Sequence, residues 1–259
     1  MTTPASELPV AGSSFDLPTP DGAADCYLAH PADGGAYPGV LMYTDAFGLR
    51  PRTREMADRL AAFGYAVLVP NVFHRRGRAP VVELPGFIGD EERPVLFKSL
   101  MPLVRSLTPE VVTRDAGAYL DWLAASPLVA EGPFGVIGYC MGAVLTMRTA
   151  AARPGQVVAG GCFHGGNLVT DSPDSPHLLA GRIRAELYFG HADQDRSMTP
   201  QQIATLDRTL TEAGVPFHSE VYRGAHHGYT AKDASPYDAA ADARHLHALV
   251  RLLRRTLPM

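Results

Sequence analysis

The chain has 259 residues, 46% hydrophobic and 19% charged, with a formal net charge of −4. That supplies a large soluble core and no basic face, which argues against nucleic acid or an anionic membrane as partner. Three cysteines are too few and odd in number for a disulfide framework, the first 20 residues lack the charged and apolar regions of a signal peptide, and no run reaches the length of a membrane span, so the expectation is a cytoplasmic protein.

In chain order, residues 1–14 are small and polar and are expected to form a poorly ordered lead-in to a single domain over residues 15–259. Phe15–Leu17 and Cys26–His30 flank Pro-Thr-Pro-Asp-Gly and read as an edge hairpin. Gly39–Tyr43 is a short apolar strand of the kind buried on both faces, followed by the loop Thr44–Gly48. Pro51 opens a helix that Gly64 stops, and Tyr65–Val69 is the next buried strand, ending in a loop that carries Arg75. Residues 78–107, broken by Pro80, Pro85 and Pro94, read as an irregular surface excursion. Thr108-Pro109 caps a helix to about Ala125, and Pro133–Ile137 is a strand. Val157–Phe163 and Ile183–Phe189 are further strands, and Thr199-Pro200-Gln201-Gln202 is a capping-box helix start. Phe217–Tyr222 is the last strand, and a final helix follows Ser235–Asp238, with Ala239, Ala243, Leu246, Val250 and Leu253 expected inward and His245 and His247 expected on the surface. Strands alternating with helices after an antiparallel start predict an α/β class: a mostly parallel, doubly wound sheet with helices on both faces. In such sheets ligands sit at the carboxyl ends of the strands.

One turn stands out at that edge. Gly138-Tyr139-Cys140-Met141-Gly142 joins the strand ending at Ile137 to the apolar run Ala143–Ala152. This is the G-x-S-x-G elbow with sulfur for oxygen, in which close backbone approach excludes side chains at both glycines and the helix N-terminus favours a thiolate. A buried structural cysteine at a glycine-punctuated helix start is the alternative. A thiol nucleophile needs a base, and the base an orienting acid. The loop Gly190–Asp195 and the pair His226-His227 follow Cys140 in the order nucleophile, acid, histidine, each after an expected strand. His227 is preferred because Gly228 lets the loop turn back over the elbow. Asp195 is favoured as the acid, with Asp193 left open. The ten histidines show no ligand spacing such as H-E-x-x-H, so no metal site is expected.

Gly138–Gly142, the Asp45-Ala46-Phe47-Gly48 loop, the Asp193–Asp195 loop and His227-Gly228-Tyr229 together resemble the dienelactone hydrolase family from about Phe15 to the C-terminal helix. The resemblance implies an α/β-hydrolase fold and a Cys140–His227–Asp195 triad that opens a small-molecule lactone or other carboxylic ester. It implies no metal or organic cofactor, and a monomer or small homo-oligomer. It places the oxyanion between the backbone N–H groups of Met141 and Ala46. It also puts Asp45 where the family carries a glutamate near the nucleophile, a loop-capping role being the alternative, and Arg75 at a substrate carboxylate, with Ala231 where a second arginine would stand. A class I glutamine amidotransferase would carry a glutamate two residues past the histidine, where this chain has Tyr229. A non-catalytic hydrolase-fold binding protein is the remaining alternative.

Overall fold

The computed structural model describes residues 7–257. An eight-stranded sheet runs in the order β1-β2-β4-β3-β5-β6-β7-β8. The strands are β1 (Val10–Thr19), β2 (Gly22–Pro31), β3 (Gly39–Tyr43), β4 (Ala66–Pro70), β5 (Phe134–Tyr139), β6 (Val157–Phe163), β7 (Glu186–Ala192) and β8 (Phe217–Tyr222). The pairs β1–β2 and β2–β4 are antiparallel, and every pair from β4 to β8 is parallel. Six helices flank it: α1 (Pro51–Ala61), α2 (Glu92–Arg105), α3 (Pro109–Ala125), α4 (Met141–Ala152), α5 (Pro200–Glu212) and α6 (Ala239–Thr256). This is the mostly parallel, doubly wound sheet that the alternation of strands and helices predicts, and the α/β-hydrolase architecture that the family resemblance implies.

The two-residue period of a strand explains why the central strands read as unbroken apolar runs. Val40, Met42, Val67, Val69 and Ile137 face α1 and α6, while Leu41, Tyr43, Leu68, Val136 and Leu187 face α3, α4 and α5. Each fully buried side chain of this size contributes about 1.5–3 kcal/mol. A third, smaller cluster joins Phe47, Ile88, Leu100, Ala231 and Ala234 above the strand ends, tying α2 to the loop after β8.

Four expectations are corrected. Strand β1 begins at Val10, so the lead-in is shorter than residues 1–14, and residues 1–6 lie outside the described ones. Its first half is small and polar because it is an edge strand whose ladder with β2, Val10 opposite Pro31 to Thr19 opposite Gly22, supplies the order that apolar burial does not. The excursion of residues 78–107 contains α2. Pro94 did not prevent it because it falls in the first turn, where a backbone N–H has no intrahelical acceptor; Pro102 is accommodated one turn from the end. Strand β7 ends at Ala192 rather than Phe189, which brings Asp193 directly onto the strand end. On α6 the inward set is Ala241, Asp242, His245, Leu249, Val250, Leu252 and Leu253, whereas Ala239 and Ala243 are exposed. His245 is buried because it is satisfied: its Nδ1–H donates to Asp242 O (2.6 Å), and Nε2 accepts from the Tyr139 hydroxyl (3.3 Å). His247 is exposed, as expected.

Candidate active site

The elbow has the close packing its glycines imply. A Cβ on Gly138 would overlap the Gly142 carbonyl, and one on Gly142 would lie 2.6 Å from Thr44 O. Cys140 sits between them at φ 55°, ψ −116°, as the N-cap of α4. A non-glycine residue in that region costs about 1–3 kcal/mol, which the surrounding packing must hold in place. Backbone bonds do so, from Cys140 N–H to Phe163 O (3.1 Å) and from Ala143 N–H to Cys140 O (3.2 Å). The conformation sets the thiol at the N-terminus of α4, where the unpaired backbone N–H groups carry roughly half a positive charge. Cys26 and Cys162 are different: burial pushes both thiols up, and neither lines a cavity with the elbow.

His227 arrives on the loop after β8, and its Nδ1–H donates to Asp195 Oδ2 at 2.6 Å. Asp195 Oδ1 accepts from the Ser197 N–H (2.8 Å) and hydroxyl (2.7 Å). Burial acts against ionised Asp195, but these donors outweigh it and hold the carboxyl below its usual range. Burial likewise opposes charge on His227, yet the Cys140 sulfur on one side and Asp195 on the other lift it to about 10. His227 thus stands between the Cys140 sulfur and a carboxylate. Asp193 is committed elsewhere: its Oδ2 accepts from Gly224 N–H (2.9 Å), and its own N–H donates to Ala225 O (2.7 Å). It closes the turn that launches the histidine loop.

The sign of the pH effect follows. A histidine raised from an ordinary value near 6.5 adds stability that is fully present below about 6.5. That stability is lost as pH rises through about 10. Cys140→Ala removes the negative partner, so His227 is expected to titrate below its wild-type value in NMR of the imidazole protons. The variant should also lose less stability than wild type between pH 6.5 and 10 in urea unfolding. An unmoved His227 titration would mean that the sulfur does not hold the proton.

The other expected residues separate into two groups. Ala46 and Met141 border the same cavity as Cys140 and His227, a space of about 430 Å³. Asp45 lies in a recess of about 20 Å³ beside Cys140, but its carboxylate is occupied. Oδ1 accepts from the Phe47 N–H (3.0 Å) and Arg50 Nη1 (2.7 Å), and Oδ2 accepts from Arg50 Nη2 (2.9 Å). These are the contacts of a loop-capping aspartate. Arg75 is not brought to the cavity. Its guanidinium makes a bidentate pair with Asp115 (2.6 and 2.7 Å) and a third bond to Asp21 (2.8 Å), on the far side of the turn after β4. Two carboxylates within reach satisfy its fork more fully than an intermittent ligand, so the expectation of a substrate contact is corrected.

The structure adds residues that sequence reasoning missed. Arg50 spans Asp45 and Asp233 (Nε to Oδ2, 2.6 Å), and Arg52 donates to Thr230 O (2.6 and 3.1 Å). Both arginines are buried at the start of α1, and together they pin the loop that carries His227. His164, at φ 38° beyond β6, packs edge-on against the His227 ring at 5.3 Å, with Nε2 on the Thr230 hydroxyl (2.8 Å). Arg50-Pro51-Arg52 was a visible signal, since charged residues around an apolar helix start need partners. Asp45 lies five positions before Arg50, but Asp233 and Thr230 lie some 180 positions on and could not be named. Among the described residues no group of three or more His, Cys, Asp or Glu side chains is placed to hold a metal ion, and no helix is long and apolar enough to cross a membrane.

A model of the dienelactone hydrolase family matches residues 24–257. The chain belongs to the dienelactone hydrolase family. A carboxymethylenebutenolidase of Rhodococcus opacus is 29% identical over 220 residues, covering 85% of this chain and 81% of that protein. A carboxymethylenebutenolidase homolog of Mus musculus is 28% identical over 215 residues, covering 80% and 77%. A solved dienelactone hydrolase-like promiscuous phosphotriesterase from metagenomic libraries superposes with a TM-score of 0.79 at 24% identity, over 96% of this chain and 99% of that one, a likeness that establishes the fold. Membership of the dienelactone hydrolase family makes this chain a carboxylic ester hydrolase.

Proposed function

We propose that this dienelactone hydrolase-family member cleaves a carboxylic ester or lactone through a thioester on Cys140. The observation that carries the reading is the continuous chain Asp195–His227–Cys140 on the positive end of α4. The Cys140 thiolate attacks the ester carbonyl, and the oxyanion takes hydrogen bonds from the N–H groups of Met141 and Ala46. As the carbon–oxygen bond breaks, the imidazolium of His227 gives its proton to the leaving alkoxide. Water then loses a proton to His227 and attacks the thioester, and cleavage of the carbon–sulfur bond returns the thiolate and releases the acid. Asp195 fixes the His227 tautomer and stabilises its charge throughout. A lactone follows the same steps, its alcohol staying attached to the product.

Three free cysteines, two of them buried, support a reducing, cytoplasmic setting for a thiol enzyme of this kind. Turnover of p-nitrophenyl acetate with and without prior iodoacetamide tests the chemistry. Hydrolysis abolished by alkylation is expected. Hydrolysis indifferent to alkylation, or none at all, would remove Cys140 as the nucleophile.

A further inference from the structure

The cavity beside Cys140 is chemically one-sided. Its volume of about 430 Å³ falls within the range of small-molecule sites. Starting at the oxyanion groups of Ala46 and Met141, one wall follows α4 through Val144 and Leu145. The facing wall is Phe97, Met101 and Val104 of α2, with Leu107 beyond them. A third side is polar, with Asn167, Thr170, Ser172 and Ser197, and away from Cys140 and His227 the charged lining is Arg148 and Asp174 at the outer end.

That arginine is partly engaged before any ligand arrives. Its Nη2 donates to the main-chain O of Asp174 (2.7 Å), and burial holds the guanidinium below its usual range, an effect that the nearby Asp174 and Glu110 carboxylates only partly offset. A carboxylate at the far end of an acyl chain would lie beside a cation that two anions already accompany, and one drawn further in would enter an apolar passage where an unpaired charge is strongly disfavoured. Arg75, the other cation expected near the site, is held by Asp115 and Asp21 outside the cavity lining.

We infer that this site takes neutral esters whose acyl chain is apolar and about four to eight carbons long, in preference to esters carrying a free carboxylate. The inference rests on the thioester reading above. The length comes from α4: Met141 to Arg148 spans about 10 Å at 1.5 Å per residue. An extended chain advances about 1.2 Å per bond, so about eight bonds reach the charged end. The α2 wall explains what the excursion between β4 and α3 is for. It supplies the apolar roof that the sheet edge lacks.

The experiment measures kcat/KM for p-nitrophenyl acetate, butyrate, hexanoate and octanoate, and for the mono-p-nitrophenyl ester of octanedioic acid, which differs from the octanoate in its terminal carboxylate. Each buried methylene is worth up to about fourfold, so hexanoate should exceed acetate by at least about tenfold. The carboxylate-terminated ester should fall at least about tenfold below octanoate. In Val144→Trp, which narrows the passage, the octanoate-to-acetate ratio should drop by about tenfold, with circular dichroism confirming the fold. Acetate as the best substrate, or a carboxylate ester equal to octanoate, overturns the inference and leaves the thioester mechanism standing. No turnover of any ester overturns both.

Discussion

Cys140→Ala is expected to lower kcat/KM for p-nitrophenyl acetate by on the order of 10⁴-fold or more, the scale at which removal of a triad nucleophile acts elsewhere. Cys140→Ser should fall by roughly 10²-fold, because an unactivated hydroxyl is a much weaker nucleophile than a thiol at neutral pH. The His227 proton is held at about 10 by the sulfur and Asp195 together. A serine hydroxyl supplies no standing charge, so His227 must act as a base from the start rather than as an acid waiting for the leaving group. The substitution is sterically mild. Oxygen is smaller than sulfur, and the strained φ of 55° at this position belongs to the backbone and its neighbours, Gly138 and Gly142. Far-ultraviolet circular dichroism and the melting temperature should therefore match wild type within a few degrees. Full activity in the serine variant would exclude Cys140 as the attacking group. A loss accompanied by unfolding would instead assign it to packing.

The second large effect separates two aspartates that lie two residues apart. Asp195→Asn should lower kcat by on the order of 10³–10⁴-fold, since an amide in that place selects the wrong tautomer of the partner histidine. Asp193→Asn should cost less than about tenfold. The reason is which way each carboxylate is used. Asp195 faces His227 at 2.6 Å and is braced by two donors from Ser197, whereas Asp193 accepts the Gly224 N–H and shapes the turn. Asp193→Asn keeps an acceptor for that N–H, so a modest loss of stability is its main expected consequence. Equal losses in kcat from the two variants, with both proteins folded, would mean that the acid has been misassigned.

Much of the site was legible along the chain because its parts are local motifs with steric causes. The elbow announces itself through two glycines around a cysteine between a strand and a helix, and the backbone approaches those glycines answer for are present. The order Cys140, Asp195, His227 was readable because each follows a strand that ends on the same sheet edge. The choice of Asp195 over Asp193 was weaker. It rested on Met198 and the helix start at Pro200 that follow Asp195, and only the bond from His227 to Asp195 tells the two carboxylates apart.

Arg75 shows the opposite case. Its position after β4 suggested a ligand contact, but Asp21 and Asp115 reach it from an edge hairpin and from α3, 54 and 40 positions away. His245 looked like a surface histidine until α6 was phased on the sheet. Pro94 disguised α2, although it occupies a first-turn position where proline costs a helix little.

The sequence by itself determined the fold class, the strand-ending loops on which chemistry could sit, and the cysteine elbow, because alternation, capping and tight turns are dictated by residues within a few positions of one another. Only the tertiary structure decided which carboxylate orients His227, which arginines are spent on internal pairs, and that the cavity beside Cys140 is apolar along α2 and α4. Each of those depends on charges and side chains brought together from distant positions. Such meetings are set by how helices dock on a finished sheet, and no local pattern records them.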